Sequence, residues 1–296
     1  MTFQQELDRI ADLTGHHLGG LLDRHLAGED PARVGEAMRH ALLGGGKRVR
    51  PYLVIASAKL FGVAEEDAMP AAAALECLHT YSLVHDDLPA MDDDDLRRGR
   101  PTVHVAYDEA TAILVGDALL TLAFETLADP NTHPDPAIRA SLVLALAKAA
   151  GTNGMVGGQA LDLAAEGKQL SADEVLKLQA MKTGALFRFA CEAGAILGGA
   201  GEEQRAALIR YGTDLGQAFQ LADDLLDHEG DAEAAGKAVA KDAERGKATL
   251  VALLGVDAAK ARLETLVADA GEALSPFGDD ASNLVEAARF VAGRKT

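Results

Sequence analysis

The sequence predicts an all-α protein with a single domain built around several long core helices. Three observations carry this. Apolar residues recur at i, i+3 and i+4 almost everywhere, with no sustained period-two alternation. Glycine and proline clusters cut the chain into pieces of helix length. Across 296 residues there is no low-complexity linker, clear repeat or composition break. Apolar residues make up 48% of the chain, enough for a large core, but aromatics are only 4% and Trp is absent. Leu, Ala, Val and Ile must therefore supply the packing.

Taken in order, residues 5–26 read as a first helix, closed by Gly28 and Pro31. A second runs from 32 to 43 and stops at Gly44-Gly45-Gly46. Pro51 suits the first turn of a third, which reaches about Leu60. Residues 67–88 form a long apolar helix with Pro70 in its first turn and Pro89 at its end. The next spans 108–128 and is closed by Asp129-Pro130-Asn131 and the prolines at 134 and 136. Helices follow at 137–149, 152–165, 171–180, 182–198 and 202–228. The polar, Gly-rich segment 229–246 reads as a loop, and helices near 247–254, 257–272 and 280–293 complete the chain.

A formal net charge of −18 excludes a broad basic surface and with it nucleic-acid binding. Clustered Lys and Arg inside so acidic a chain suggest a small anionic ligand instead. Cys77 and Cys191 are too few for a disulfide framework and lie in apolar helical patterns, as buried thiols do. The N-terminus lacks the basic and apolar regions of a signal peptide, and no apolar run reaches the roughly 18 residues of a membrane span. A reduced, cytoplasmic protein is expected.

Chemistry concentrates first at Asp86-Asp87-Leu88-Pro89-Ala90-Met91-Asp92, followed by Asp93, Asp94 and Asp95. Helix C-termini already carry partial negative charge, so carboxylates there call for a cation. Pro89 bends the chain, so Asp92 can swing back toward Asp86. A solvated acidic turn is an equal alternative for any isolated acidic run. An EF-hand is excluded, because Met91 and Arg97 stand where it needs Gly and Glu. A second cluster, Asp223-Asp224-Leu225-Leu226-Asp227, puts Asp223 and Asp227 on one helix face. Two such clusters at the ends of long apolar helices suggest carboxylates around Mg²⁺, which favours a few carboxylates plus substrate phosphates.

Cations answer that anion. Gly44-Gly45-Gly46-Lys47-Arg48-Val49-Arg50-Pro51 sets three positive charges before a helix N-terminus, without the pattern of a P-loop. Arg97 and Arg98 follow the first acidic cluster, and Lys182, Lys237 and Lys247 lie in later turns or loops. Taken singly, each is more often a surface charge; their coincidence with Gly-rich turns and acidic clusters is what argues for a site. His79 and His85 fit a core role as well as a functional one, and no nucleophile constellation stands out.

Six ordered motifs then resemble the trans-type polyprenyl diphosphate synthases, most of all the bacterial farnesyl diphosphate synthases. They are GGGKRVRP at 44–51, LHTYSLVHDDLPAMDDDDLRRGRPTVH at 78–104, GMVGGQALDL at 154–163, KTG at 182–184, FQLADDLLD at 219–227, and GK with KAT within 236–249. The resemblance implies an isoprenoid-synthase bundle of about ten or more helices around a central cavity. It also implies condensation of isopentenyl diphosphate with dimethylallyl or geranyl diphosphate through an allylic carbocation, giving farnesyl diphosphate. Geranylgeranyl diphosphate synthesis is the alternative; a class I terpene cyclase or an acidic helical metal-binding protein would not explain the cation-rich motifs. Asp86, Asp87, Asp92, Asp223, Asp224 and Asp227 would bind Mg²⁺, three ions with the allylic diphosphate in place. Arg97, Lys182 and Lys237 would contact that diphosphate; Lys47, Arg50, His79 and Arg98, with Lys247 close by, would hold isopentenyl diphosphate. Lys182, Thr183 and Gln220 would serve catalysis, the last two turning oxygens toward the carbocation. Tyr81 would set chain length, Gln159 and Asp162 would have supporting roles, and the protein would be a homodimer. Ala235 stands where relatives often carry Leu before the Gly-Lys pair.

Overall fold

The computed structural model describes residues 2–28, 32–234 and 249–293. Lys237 and Lys247 lie outside the described residues. The described residues are helical almost throughout, as the periodicity requires. They fall into two compact units, Met1–Leu144 with Ile196–Gly199, and Ala145–Ala195 with Ala200–Thr296.

The first unit begins with α1 (Phe3–His25), α2 (Ala32–Leu42), α3 (Val49–Lys59) and α4 (Glu65–Asp86). A Thr2–Gln5 capping box starts α1, satisfying two backbone donors that the helix itself leaves open. Helix α4 is the core of this unit: it packs on α1, α2, α3 and α6, and residues 71–78 are all buried. A helix apolar on all sides has no other stable place. Its start lies two residues earlier than the sequence suggests, so Pro70 is inside the helix and not in its first turn.

A short hairpin follows, β1 (Leu96–Arg97) paired antiparallel with β2 (Arg100–Pro101). Its two turn residues, Arg98 and Gly99, both have positive φ, 54° and 74°. That is the requirement of a type I′ turn, and the arginine hides it from sequence patterns. After α5 (Val103–Ala106), Asp108 caps α6 (Glu109–Ala128) by accepting from the Thr111 N–H at 2.7 Å.

Among the described residues, α6 alone is long and apolar enough to cross a membrane by length and composition. This corrects the expectation that no segment qualifies. Glu109, Asp117 and Glu125 interrupt the apolar run in sequence but all fall on the exposed side of the helix. Half of the apolar stretch is buried inside the protein, including Ala112, Val115 and Leu119.

The division between units falls within α7 (Pro136–Ala150) and near the end of α10 (Ala185–Leu197). In the second unit, α8 (Met155–Ala165) packs on a π-turn (Ala180–Gly184) that joins α9 (Ala172–Gln179) to α10. The sequence suggests a break there, but the π-turn carries the helix through. Helix α11 (Glu202–Ala234) runs on past residue 228, where a loop was expected. It packs against α12 (Leu250–Leu254), α13 (Val256–Ala273) and α14 (Ser282–Ala292).

Candidate active site

In the first unit the acidic loop folds back over the end of α4. The Asp92 N–H donates to the Asp86 carbonyl at 2.7 Å, and the Asp94 N–H donates to the Asp87 carbonyl at 3.2 Å. The loop thereby satisfies the last carbonyls of the helix and returns Asp92 to Asp86, as Pro89 led us to expect. The loop also needs Asp93 in a left-handed conformation, φ 49°.

The two adjacent aspartates have different surroundings. Asp86 is half-buried, whereas Asp87 is buried and accepts from Arg97 Nε at 3.0 Å and Nη2 at 2.5 Å. Arg97 reaches Asp94 as well, at 3.2 Å. Burial pushes the Asp87 carboxyl up, and Arg97 works against that shift.

The glycine-rich turn lies between α2 and α3. Arg98 donates to the Gly45 carbonyl, and a Cβ on Gly46 would fall 2.5 Å from its guanidinium. A side chain there would push the guanidinium aside, and Gly46 has φ 125°, a conformation that favours glycine. Arg50 Nη1 lies 3.4 Å from His79 Nε2. Burial first, then Arg50 and Arg98, hold the His79 imidazole well below its usual range, so it faces Arg50 as a neutral acceptor. Arg50, His79 and Arg98 thus gather around this turn, and Lys47 is exposed on it.

Tyr81 is buried and meets His85 edge-on, with ring centroids 5.3 Å apart. His85 Nε2 in turn donates to the Ile113 carbonyl of α6 at 3.0 Å. The ring is therefore held by its neighbours.

The second unit carries the other half of the expected residues. Asp224 is buried and accepts from Gln179 Nε2 at 2.9 Å and Gln220 Nε2 at 3.0 Å. With its amide nitrogen committed to Asp224, Gln220 presents Oε1, which accepts from the Thr183 hydroxyl at 2.9 Å. Lys182 Nζ pairs with Asp162 at 2.6 Å. Lys182 and Thr183 both sit on the π-turn, a distortion often found at functional positions. Asp223 is half-buried and Asp227 exposed on the same helix. Asp162, Lys182, Thr183, Gln220, Asp224 and Asp227 line one cavity of about 180 Å³.

Residues 31–275 match a family model described as polyprenyl synthetase. The chain belongs to this family. Over 268 residues it is 46% identical to the farnesyl diphosphate synthase of Escherichia coli K12, covering 88% of this chain and 89% of that protein. It is also 41% identical, over 92% of its length and 91% of the relative's, to a geranylgeranyl diphosphate synthase of Cyanophora paradoxa. A crystal structure of an FPP/GFPP synthase from Zymomonas mobilis superposes with a TM-score of 0.89 at 44% identity, covering 98% of this chain and 99% of that one.

Three residues outside the expected set belong to these networks. Gln179 shares Asp224 with Gln220; nothing in its local sequence separates it from a surface amide. Arg48 and Glu76 form a buried ion pair. A lone Glu inside the apolar run 71–78 is a signal that could have been read, because such a charge requires a partner.

The donor set suits magnesium. The carboxylates of Asp86, Asp87 and Asp92, and of Asp223, Asp224 and Asp227, offer only oxygen donors, the type that Mg²⁺ takes. Mg²⁺ is commonly held by one or two carboxylates together with substrate phosphates.

Proposed function

We propose that this protein condenses isopentenyl diphosphate with an allylic diphosphate and releases farnesyl diphosphate. The observation that carries the reading is the Thr183–Gln220–Asp224 chain beside Lys182. It sets the neutral oxygens of Thr183 and Gln220 beside the Lys182 cation in one cavity. That set suits a reaction through a carbocation. Family membership supports the same chemistry, and the single family match over 31–275 supports treating the two units as one catalytic domain.

In this reading Asp86, Asp87 and Asp92, with Asp223, Asp224 and Asp227, serve Mg²⁺. When bound, the metal would supply Lewis-acid stabilisation of charge on the leaving diphosphate. Lys182, Arg97 and Lys237 hold the allylic diphosphate, and fixed cations there favour the charge that develops as the C–O bond breaks. The bonding electron pair leaves with the diphosphate. The oxygens of Gln220 and Thr183 face the allylic cation, and apolar walls keep water from quenching it. Lys47, Arg50, His79, Arg98 and Lys247 hold isopentenyl diphosphate while its double bond attacks, and the surplus proton passes to the departed diphosphate. Tyr81 stops growth at fifteen carbons; its buried ring, seated on His85, supports that role.

We also place the enzyme in the cytoplasm as a homodimer. Exposed Ile113 and Leu114 on α6 give a second copy an apolar surface to cover. Light scattering on the purified protein tests the dimer. The activity is tested by incubating the protein with Mg²⁺, isopentenyl diphosphate and geranyl diphosphate, then separating the products by chromatography. We expect a fifteen-carbon product that disappears with chelator and returns with Mg²⁺. A twenty-carbon product would identify a geranylgeranyl synthase instead, and full turnover in excess chelator would refute the metal assignment.

A further inference from the structure

Residues 71–78 of α4 are all buried, and Glu76 is the one charged residue among them. A carboxylate in that setting is strongly disfavoured unless it is paired and hydrogen-bonded. Its partner is Arg48, whose side chain is only 3% exposed. The same guanidinium donates through Nη2 to the Leu42 carbonyl at the end of α2, 2.6 Å away. Arg48 adopts the left-handed region, φ 48° and ψ 39°, which a residue with a Cβ rarely enters. The chain thus accepts an unfavourable backbone conformation and a buried ion pair at one residue, between Lys47 and Arg50.

The plain alternative is that the pair merely completes the core. Buried ion pairs, however, seldom stabilise a fold more than apolar residues of similar volume. Strained conformations persist where surrounding structure over-determines them, often at binding sites. The neighbours support that second account. Glu76 and His79 are three residues apart on α4 and share a face, and His79 meets Arg50. The head group of Arg98 lies against Gly45 and Gly46, where Glu76 attracts it and Arg48 repels it.

We propose that Glu76, acting through Arg48, is a positioning residue for isopentenyl diphosphate. The buried pair holds the turn 44–48 in the one conformation that sets where Lys47 and Arg50 leave the backbone. Glu76 also supplies a negative charge around which Arg48, Arg50 and Arg98 assemble before the anionic substrate arrives. This rests on the reading of Lys47, Arg50, His79 and Arg98 as the isopentenyl diphosphate site.

The test is the double variant Arg48→Met/Glu76→Leu, which removes both charges while keeping apolar bulk, together with Glu76→Gln. Melting temperature and the KM for each substrate are measured at saturating Mg²⁺. For the double variant we expect a melting temperature close to wild type, a tenfold or greater rise in KM for isopentenyl diphosphate, and a KM for geranyl diphosphate within twofold. Glu76→Gln should show the same split, and it carries the test if the double variant does not fold. An unchanged KM for isopentenyl diphosphate, or an equal rise for both substrates, overturns the positioning role while wild-type activity still stands. A wild-type protein that condenses no allylic diphosphate would instead overturn the proposed function, and this inference with it.

Discussion

Replacing Gly158 by alanine adds one methyl group to α8, at a place the π-turn already fills. The new Cβ would lie 2.1 Å from the Lys182 backbone nitrogen and 2.5 Å from its Cα. Carbon atoms in ordinary contact are about 3.5–4.0 Å apart, so the two backbones must separate by roughly 1 Å or more. Neither side yields cheaply, because the colliding atoms are main chain. The moving parts carry the proposed site: α8 holds Asp162, which pairs with Lys182, and the π-turn holds Lys182 and Thr183. A displacement of about 1 Å at reacting groups can cost about a hundredfold in rate, or about 2.7 kcal/mol in activation free energy. Overpacking should also cost about 1–3 kcal/mol of stability. Steady-state kinetics with both substrates, beside thermal melts, measures the two effects. The control is Gly19→Ala in α1, where an added Cβ would meet nothing within 4 Å. It should keep wild-type kcat/KM and melt no lower than wild type. If Gly158→Ala kept wild-type kcat/KM and melting temperature, the close approach of α8 to the π-turn would be wrong.

Three further outcomes are expected. Tyr81→Ala should shift the product from fifteen carbons toward twenty or more; an unchanged product from a folded, active variant would mean that another residue sets the length. Asp86→Ala should mainly lower turnover, whereas Arg50→Ala should raise the KM for isopentenyl diphosphate by about ten- to a hundredfold, the worth of one charge-assisted hydrogen bond at about 1.5–3 kcal/mol. If Arg50→Ala weakened only the allylic substrate, its assignment would be wrong. The third concerns pH. Burial and the arginines keep His79 neutral in the fold, while in the unfolded chain it protonates below about pH 6.5. The folded state therefore binds fewer protons, and His79 costs stability as pH falls through that value but not above it. Melting temperatures from pH 7.5 to 5.5 should fall more steeply for wild type than for His79→Gln, and parallel curves would refute this.

Much of the molecule was legible because its signals are local. Apolar periodicity gave the helices, and the glycine and proline clusters gave most of their ends. Pro89 alone implied that Asp92 returns toward Asp86, and the backbone hydrogen bond between them confirms the bend. The boundaries at α4, the π-turn and α11 were less well placed, since packing extends a helix beyond what its own residues specify.

What only the tertiary structure decided is which of several similar residues does what. Asp86 and Asp87 are adjacent and chemically identical, yet Asp87 is buried against Arg97 while Asp86 stays half-exposed. Asp224 is likewise buried beneath two glutamine amides, while its neighbour Asp223 on α11 is half-buried. Glu76 finds Arg48 at a separation of 28 residues, and Gln179 finds Asp224 at 45. A carboxylate's surroundings depend on which helix is packed against it, and that is set by burial of apolar faces far away in the chain. The sequence by itself determined which residue types would be available for diphosphate chemistry. Packing decided which of them are held inside and which stay exposed.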